Sequence, residues 1–126
     1  MSGRVVHFEL PVDDQERAKA FYAGAFGWDL ADVPGMSYTM VTTTPSGDRG
    51  PTDPGAISGG MAGRGGPITA PVITVEVADI DEALATVERL GGKTVQGRAA
   101  VGDMGFTGYF TDSEGNVVGL WQTASG

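Results

Sequence analysis

Val12-Asp13-Asp14-Gln15-Glu16-Arg17-Ala18 returns later in the chain as Val77-Ala78-Asp79-Ile80-Asp81-Glu82-Ala83. Positions 12 and 77, 14 and 79, 18 and 83, and the glycines 27 and 92 are all 65 residues apart. Each copy follows a short β-type run and opens a helix-type run that closes near a glycine. Further on, Ser46-Gly47 and Glu114-Gly115 each lie between two strand-like runs, now 68 residues apart. A supersecondary unit of about half the chain, used twice, is too small to bury its apolar face alone.

Outward from the first copy, Val5-Val6-His7-Phe8-Glu9-Leu10 predicts a strand that Pro11 stops, because proline cannot donate to a ladder. Asp13 or Asp14 can cap the helix that follows, and Ala18, Phe21, Tyr22, Ala25 and Phe26 form its apolar stripe. Gly27 ends it. Residues 28–33, 37–42 and 56–61 predict three more strands. In the second copy, residues 72–77 form a strand, Asp79 caps a helix, and Ile80, Ala83, Leu84, Val87 and Leu90 share one of its faces. Residues 93–96 and 106–111 are strand-like. Asp112-Ser113-Glu114-Gly115-Asn116 is a hairpin turn into Val117-Val118-Gly119-Leu120-Trp121. The expected fold is α+β: two tandem βαβββ modules forming a cupped mixed β-sheet with helices outside. Residues 1–126 make one domain, with module one at about 4–62, a Gly/Pro-rich linker at 63–70 and module two at about 71–122.

Composition narrows the function classes. The chain has 126 residues, 40% of them hydrophobic, with 10 aromatic side chains (Phe 5, Tyr 3, Trp 2) and 21 glycines. Zero cysteines exclude disulfides, thiolate metal sites and cysteine nucleophiles. Sixteen acidic against eight basic residues give a net charge of −8, which opposes binding to a phosphate backbone, so no nucleic acid partner is expected. No apolar run reaches 18 residues and no basic-then-apolar leader opens the chain, so the expectation is no membrane partner, no signal peptide and a cytoplasmic setting.

Alternation assigns the strand faces. Val6, Phe8 and Leu10, like Ile73, Val75 and Val77, should pack on the helices. His7, Glu9, Thr74 and Glu76 then fall on the other face, and so does Trp121, because Val118 and Leu120 claim the helix side. A concave face with a few polar groups is the default ligand site. The candidate ligand-binding residues are His7, Glu9, Tyr38, Met40, Met61, Thr74, Tyr109 and Trp121, expected to converge on one concavity. Gly63-Arg64-Gly65-Gly66 opens no helix and matches no phosphate-loop spacing, so it reads as linker.

The chain resembles the vicinal oxygen chelate superfamily, the group of glyoxalase I, bleomycin-resistance proteins, fosfomycin-resistance enzymes and extradiol dioxygenases. The resemblance rests on His7-Phe8-Glu9-Leu10-Pro11-Val12-Asp13-Asp14 with Phe21-Tyr22 and Phe26-Gly27-Trp28. It continues through Asp79-Ile80-Asp81-Glu82-Ala83 with Gly91-Gly92, and through Phe110, Asp112, Glu114-Gly115-Asn116-Val117 and Gly119-Leu120. Within the superfamily it looks most like single-domain glyoxalase-like members. The resemblance implies a metal site built from four strand positions carrying His, Gln or Glu. Here the first falls on His7. The second falls near Gly59 or Gly60, the third on Val72 and the fourth on Gly119, none of which can ligate.

Glyoxalase and fosfomycin chemistry need a divalent cation with open positions and a carboxylate to move a proton. Extradiol cleavage needs two histidines and a carboxylate, and this chain has one histidine. The leading expectation is therefore a small-molecule binding protein of the bleomycin-resistance type, without cofactor or metal, holding an aromatic or amphipathic ligand. The alternative is a lyase or isomerase of glyoxalase type in which His7 and Glu9 are the catalytic candidates; a displaced metal site using Glu9 or Glu76 belongs to that reading. The resemblance also implies a homodimer.

Overall fold

Both copies of the repeated stretch cap a helix in the same way. In the computed structural model, which describes residues 3–47 and 50–124, Asp14 is extended and its side chain accepts from the Arg17 N–H at 3.0 Å. Asp79 is likewise extended and accepts from the Glu82 N–H at 3.0 Å. Each carboxylate satisfies an amide that the first helical turn leaves open. Asp14→Ala and Asp79→Ala are each expected to lower stability by about 1 kcal/mol, measured by urea denaturation. A loss indistinguishable from zero in both would count against the shared cap.

The chain divides into two compact units: residues 7–71, and residues 72–124 together with residues 3–6. The first holds most of β1 (Val5–Val12), then α1 (Gln15–Phe26), β2 (Asp29–Asp32), β3 (Tyr38–Thr42), a small hairpin of β4 (Ser46–Gly47) and β5 (Gly50–Pro51), and β6 (Ser58–Gly63). Its sheet order is β2-β3-β6-β1. β1 runs parallel to β6, with Phe8 opposite Gly59 and Glu9 opposite Gly60, and the other neighbours are antiparallel.

The second unit holds β7 (Val72–Glu76), α2 (Ile80–Arg89), β8 (Lys93–Val101), β9 (Gly105–Thr111) and β10 (Val117–Thr123). Its order, β7-β10-β9-β8, repeats that of the first unit, again with a parallel pair, β7 with β10, and antiparallel neighbours. Each unit is therefore a βαβββ module, and the fold is α+β. Residues 3–6 join the second unit through the Gly3 N–H on Glu76 O at 2.8 Å and the Glu76 N–H on Arg4 O at 2.9 Å. At the last turn, the Asp112 side chain accepts from the N–H groups of Glu114 at 2.8 Å and Asn116 at 2.9 Å. Those amides, Asn116 first, hold the Asp112 carboxyl below the usual carboxylate range. Gly115, with φ at 84°, supplies the left-handed residue that the turn requires.

Several elements differ from the sequence expectation. β1 does not stop at Pro11, which pairs with Ala62 and passes the ladder on to Val12. Alternate residues of a strand point their N–H away from a given neighbour, so a proline can take such a place. β8 extends to Val101 by absorbing irregularities between Thr94 and Gln96 and between Gln96 and Ala99.

The apolar stripe expected on α1 is rotated. Ala18 and Tyr22 pack on the core of Val12, Val41 and Met61, with Phe8, Leu10, Trp28 and Leu30. Phe21 and Phe26 are 63% and 64% exposed. Polar anchors turn the helix: the buried Thr39 hydroxyl donates to Gln15 Oε1 at 2.8 Å, and Lys19 Nζ reaches Asp32 at 3.0 Å. Gln15, Ala18, Lys19 and Tyr22 follow helical spacing, so that face looks inward and leaves Phe21 and Phe26 to one side. They instead extend an aromatic cluster in which Tyr22 stacks on Trp28 at 4.9 Å and an 8° interplanar angle.

In the second unit Ile80 and Leu84 pack on Leu120, with Val75, Val77, Phe106 and Phe110 around them. Leu90, expected on the same stripe, is 72% exposed because it is the residue at which α2 ends. Ile73 is half-exposed and outside that cluster.

Candidate functional site

Register decides what accompanies His7. Leu10 pairs with Met61 and Phe8 with Gly59 on the helix side of the first unit, so His7 and Glu9 face the opposite side with Gly60. On β3, Val41 pairs with Gly59 and Thr39 with Met61, which leaves Tyr38 and Met40 on the side of His7. Four of the sequence candidates, His7, Glu9, Tyr38 and Met40, therefore share one face. Met61 does not. It is fully buried in the helix-side core, because its position on β6 is one residue out of phase with the ligand face.

Three of these side chains are hydrogen-bonded in a row. His7 Nε2 lies 3.1 Å from the Tyr38 hydroxyl, and that hydroxyl lies 3.4 Å from Glu9 Oε2. Glu9 is buried, whereas His7 and Tyr38 are half-buried. Tyr38, a ligand-binding candidate from sequence, is thus the polar link between the other two. Its position depends on Gly60: a Cβ on residue 60 would overlap the Tyr38 hydroxyl. Burial, then the charge of Glu9, push the Tyr38 phenol well above its ordinary value, so it stays protonated as a donor.

Burial lowers the His7 ring below its free value of 6.5 against the opposing pull of the Glu9 charge. An unfolded ring takes up a proton near pH 6.5 while the folded one stays neutral, so this group withdraws stability as the pH falls below about 6.5. Tm should fall less between neutral and mildly acid solution for His7→Gln than for the wild type. An identical fall in both would refute this.

The second unit presents its candidates on the corresponding face. Leu120 belongs to the helix side, so Gly119 and Trp121 lie opposite. Gly119 pairs with both Thr74 and Tyr109, and a Cβ there would come within 3.0 Å of Thr74 Oγ1 and 3.3 Å of the Tyr109 ring. Thr74 and Tyr109 are buried. Trp121 is half-buried; its ring covers Gly105, and its indole N–H donates to the Thr123 hydroxyl at 3.1 Å. Neither His7 nor Trp121 lies beneath a helix. Gly60 opposite Glu9 and Gly119 opposite Thr74 are equivalent places in the two units: a Cβ at residue 60 would overlap Tyr38, and one at residue 119 would press on Thr74 Oγ1 and the Tyr109 ring. The sequence signal for this was the glycine on a strand, which marks a close approach of other groups.

The donor set suits a divalent ion poorly. A bound zinc ion takes three or four N, O or S protein ligands, and among the described residues no group of three His, Asp or Glu side chains is placed to share one. In the first unit the phenol of Tyr38 stands between the imidazole and the carboxylate, and Gly60 cannot gain a ligating side chain unless Tyr38 moves.

The model of the bleomycin resistance protein-like N-terminal family matches residues 4–44. The chain is 34% identical over 120 residues to "Putative glyoxylase CFP32" of Mycobacterium tuberculosis and of Mycobacterium bovis. That alignment takes in 90% of this chain and 43% of each relative, so the chain spans less than half the length of the curated relatives it matches. Among solved structures, a methylmalonyl-CoA epimerase in complex with methylmalonyl-CoA and ammonium aligns with a TM-score of 0.70 at 16% identity, covering 99% of this chain and 97% of that one. The methylmalonyl-CoA epimerase of Mycobacterium tuberculosis aligns with a TM-score of 0.66 at 15% identity, covering 98% and 89%. At such identities the structures show the shared fold. No helix among the described residues is long and apolar enough to cross a membrane. The repeated βαβββ module is the fold of the vicinal oxygen chelate superfamily, and the matched N-terminal family and the glyoxylase relatives fall on that superfamily's glyoxalase and bleomycin-resistance side.

Proposed function

We propose that the protein binds a small aromatic or amphipathic molecule on the sheet face opposite α1, against His7, Glu9, Tyr38 and Met40, and does so without a divalent metal. The observation that carries this reading is the Glu9–Tyr38–His7 row. It is a fixed polar contact beside the 45%-exposed, apolar Met40, set where a chelating site would need open ligands. A few placed polar groups on an otherwise apolar face are what orient a bound ligand. Thr74, Tyr109 and Trp121 are proposed to line the corresponding face of the second unit. If Trp121 stacks on a ligand there, Trp121→Ala should weaken binding by about 1–3 kcal/mol, as for other aromatic stacking contacts.

The test is thermal denaturation of chelator-treated protein against a panel of aromatic metabolites and antibiotics. A ligand at about 100 times its Kd should stabilise by about 2.7 kcal/mol, and the effect should be absent in His7→Ala. Near one equivalent of tightly held Ni, Zn, Mn or Fe, with stabilisation that the chelator removes, would overturn the metal-independent reading. A second reading, a lyase or isomerase acting through His7 and Glu9, draws on the same hydrogen-bonded row, since such a row can carry a proton. Exchange of a substrate C–H for deuterium, lost in His7→Ala, separates it from binding alone.

A further inference from the structure

We propose that Tyr38, backed by Glu9, locks His7 in the tautomer protonated on Nε2, making Nδ1 a permanent hydrogen-bond acceptor that selects ligands carrying an O–H or N–H donor. The Tyr38 hydroxyl has a single hydrogen and faces two partners, His7 Nε2 at 3.1 Å and Glu9 Oε2 at 3.4 Å. A carboxylate can only accept. Were the phenol to donate to His7, its lone pairs would confront the Glu9 oxygen, two acceptors with no proton between them, at a buried carboxylate where such a mismatch is costly.

Both contacts are favourable in one arrangement only: Tyr38 donates to Glu9 and accepts from the Nε2–H of His7. The neutral ring then carries its lone pair on Nδ1, and among the described residues no protein group bonds that nitrogen. A ligand hydroxyl or amide N–H satisfies it. An ether or carboxylate oxygen at the same point meets a lone pair and is disfavoured. Gly60 belongs to this device, since any larger residue there would push the phenol out of line.

Tyr38 is here a positioning residue, and the chain's single histidine makes its effect directly visible. Long-range proton–nitrogen NMR spectra of uniformly 15N-labelled protein, taken at least one unit above the free histidine pKa of about 6.5, should show one pyrrole-type nitrogen at Nε2 and one pyridine-type nitrogen at Nδ1. Tyr38→Phe should give averaged shifts from a mixture of the two tautomers. A predominant Nδ1–H form in the wild type, or an unchanged spectrum in Tyr38→Phe, would overturn the lock.

The selectivity half rests on the binding reading above, and paired probes test it: tryptophol and its methyl ether, which differ in the donor proton. Tryptophol should shift the His7 Nδ1 signal and bind about tenfold more tightly than the ether, the effect of one good hydrogen bond. The preference should vanish in Tyr38→Phe. Equal binding of the two probes would overturn donor selection with the binding reading intact. If neither probe moves the His7 signals while the tautomer is as stated, donor selection and that reading fall together.

Discussion

Met61→Ala is expected to lower folding stability by about 2–5 kcal/mol, the range for truncating a fully buried aliphatic side chain. Met61 is 0% exposed, and around it lie Val12, Val41, Phe8, Leu10 and Tyr22, elements from every layer of the first unit. Its neighbours are held by β1, β3 and α1, so the cavity can collapse only in part. Phe21→Ala is the instructive comparison. The amphipathic pattern of α1 assigns that ring to the core, where truncation would cost roughly 3–5 kcal/mol. The ring is 63% exposed and touches Tyr22 edge-on at 5.1 Å, so its loss should be well below that of Met61. Urea denaturation of the two variants side by side decides the matter. A larger loss for Phe21 would mean that α1 is rotated about its axis from the orientation described.

Gly60→Ala should cost about 1–3 kcal/mol, the usual range for overpacking, and should displace the Tyr38 phenol from His7 and Glu9. The added methyl would overlap the hydroxyl end of Tyr38, and the ring must swing away for the chain to fold. Gly63→Ala, on the same strand with nothing within 4 Å of its Cβ, is the control and should be near neutral. The mechanism predicts strong non-additivity: in a Tyr38→Ala background the space is open, and Gly60→Ala should become almost harmless. If the two substitutions simply add, the phenol is not what residue 60 would meet.

Much of this molecule was legible in the residue order. The 65-residue repeat, a cap at Asp13 or Asp14 and another at Asp79, and Gly27 and Gly91-Gly92 as helix ends are local signals, since each depends on hydrogen bonds reaching only a few residues away. Strand alternation is local too, so the placement of His7, Glu9, Thr74 and Trp121 away from the helices followed from parity alone. For Met61 local parity gives no such placement. The Gly-rich run from Ala56 to Gly63 has no clear alternation, and a strand with weak patterning leaves its register to its neighbours.

By itself, then, the sequence determined the α+β class, the duplicated module, the helix starts and the face on which the one histidine lies, because short-range geometry settles each of these. Tertiary structure alone decided which side of α1 turns inward, that Met61 belongs to the core, and that Tyr38 joins His7 to Glu9. Those outcomes depend on pairings between residues 18 to 51 positions apart, such as β6 with β3 and β1 with β6. Inter-strand register fixes them, and no periodicity within a single segment encodes it.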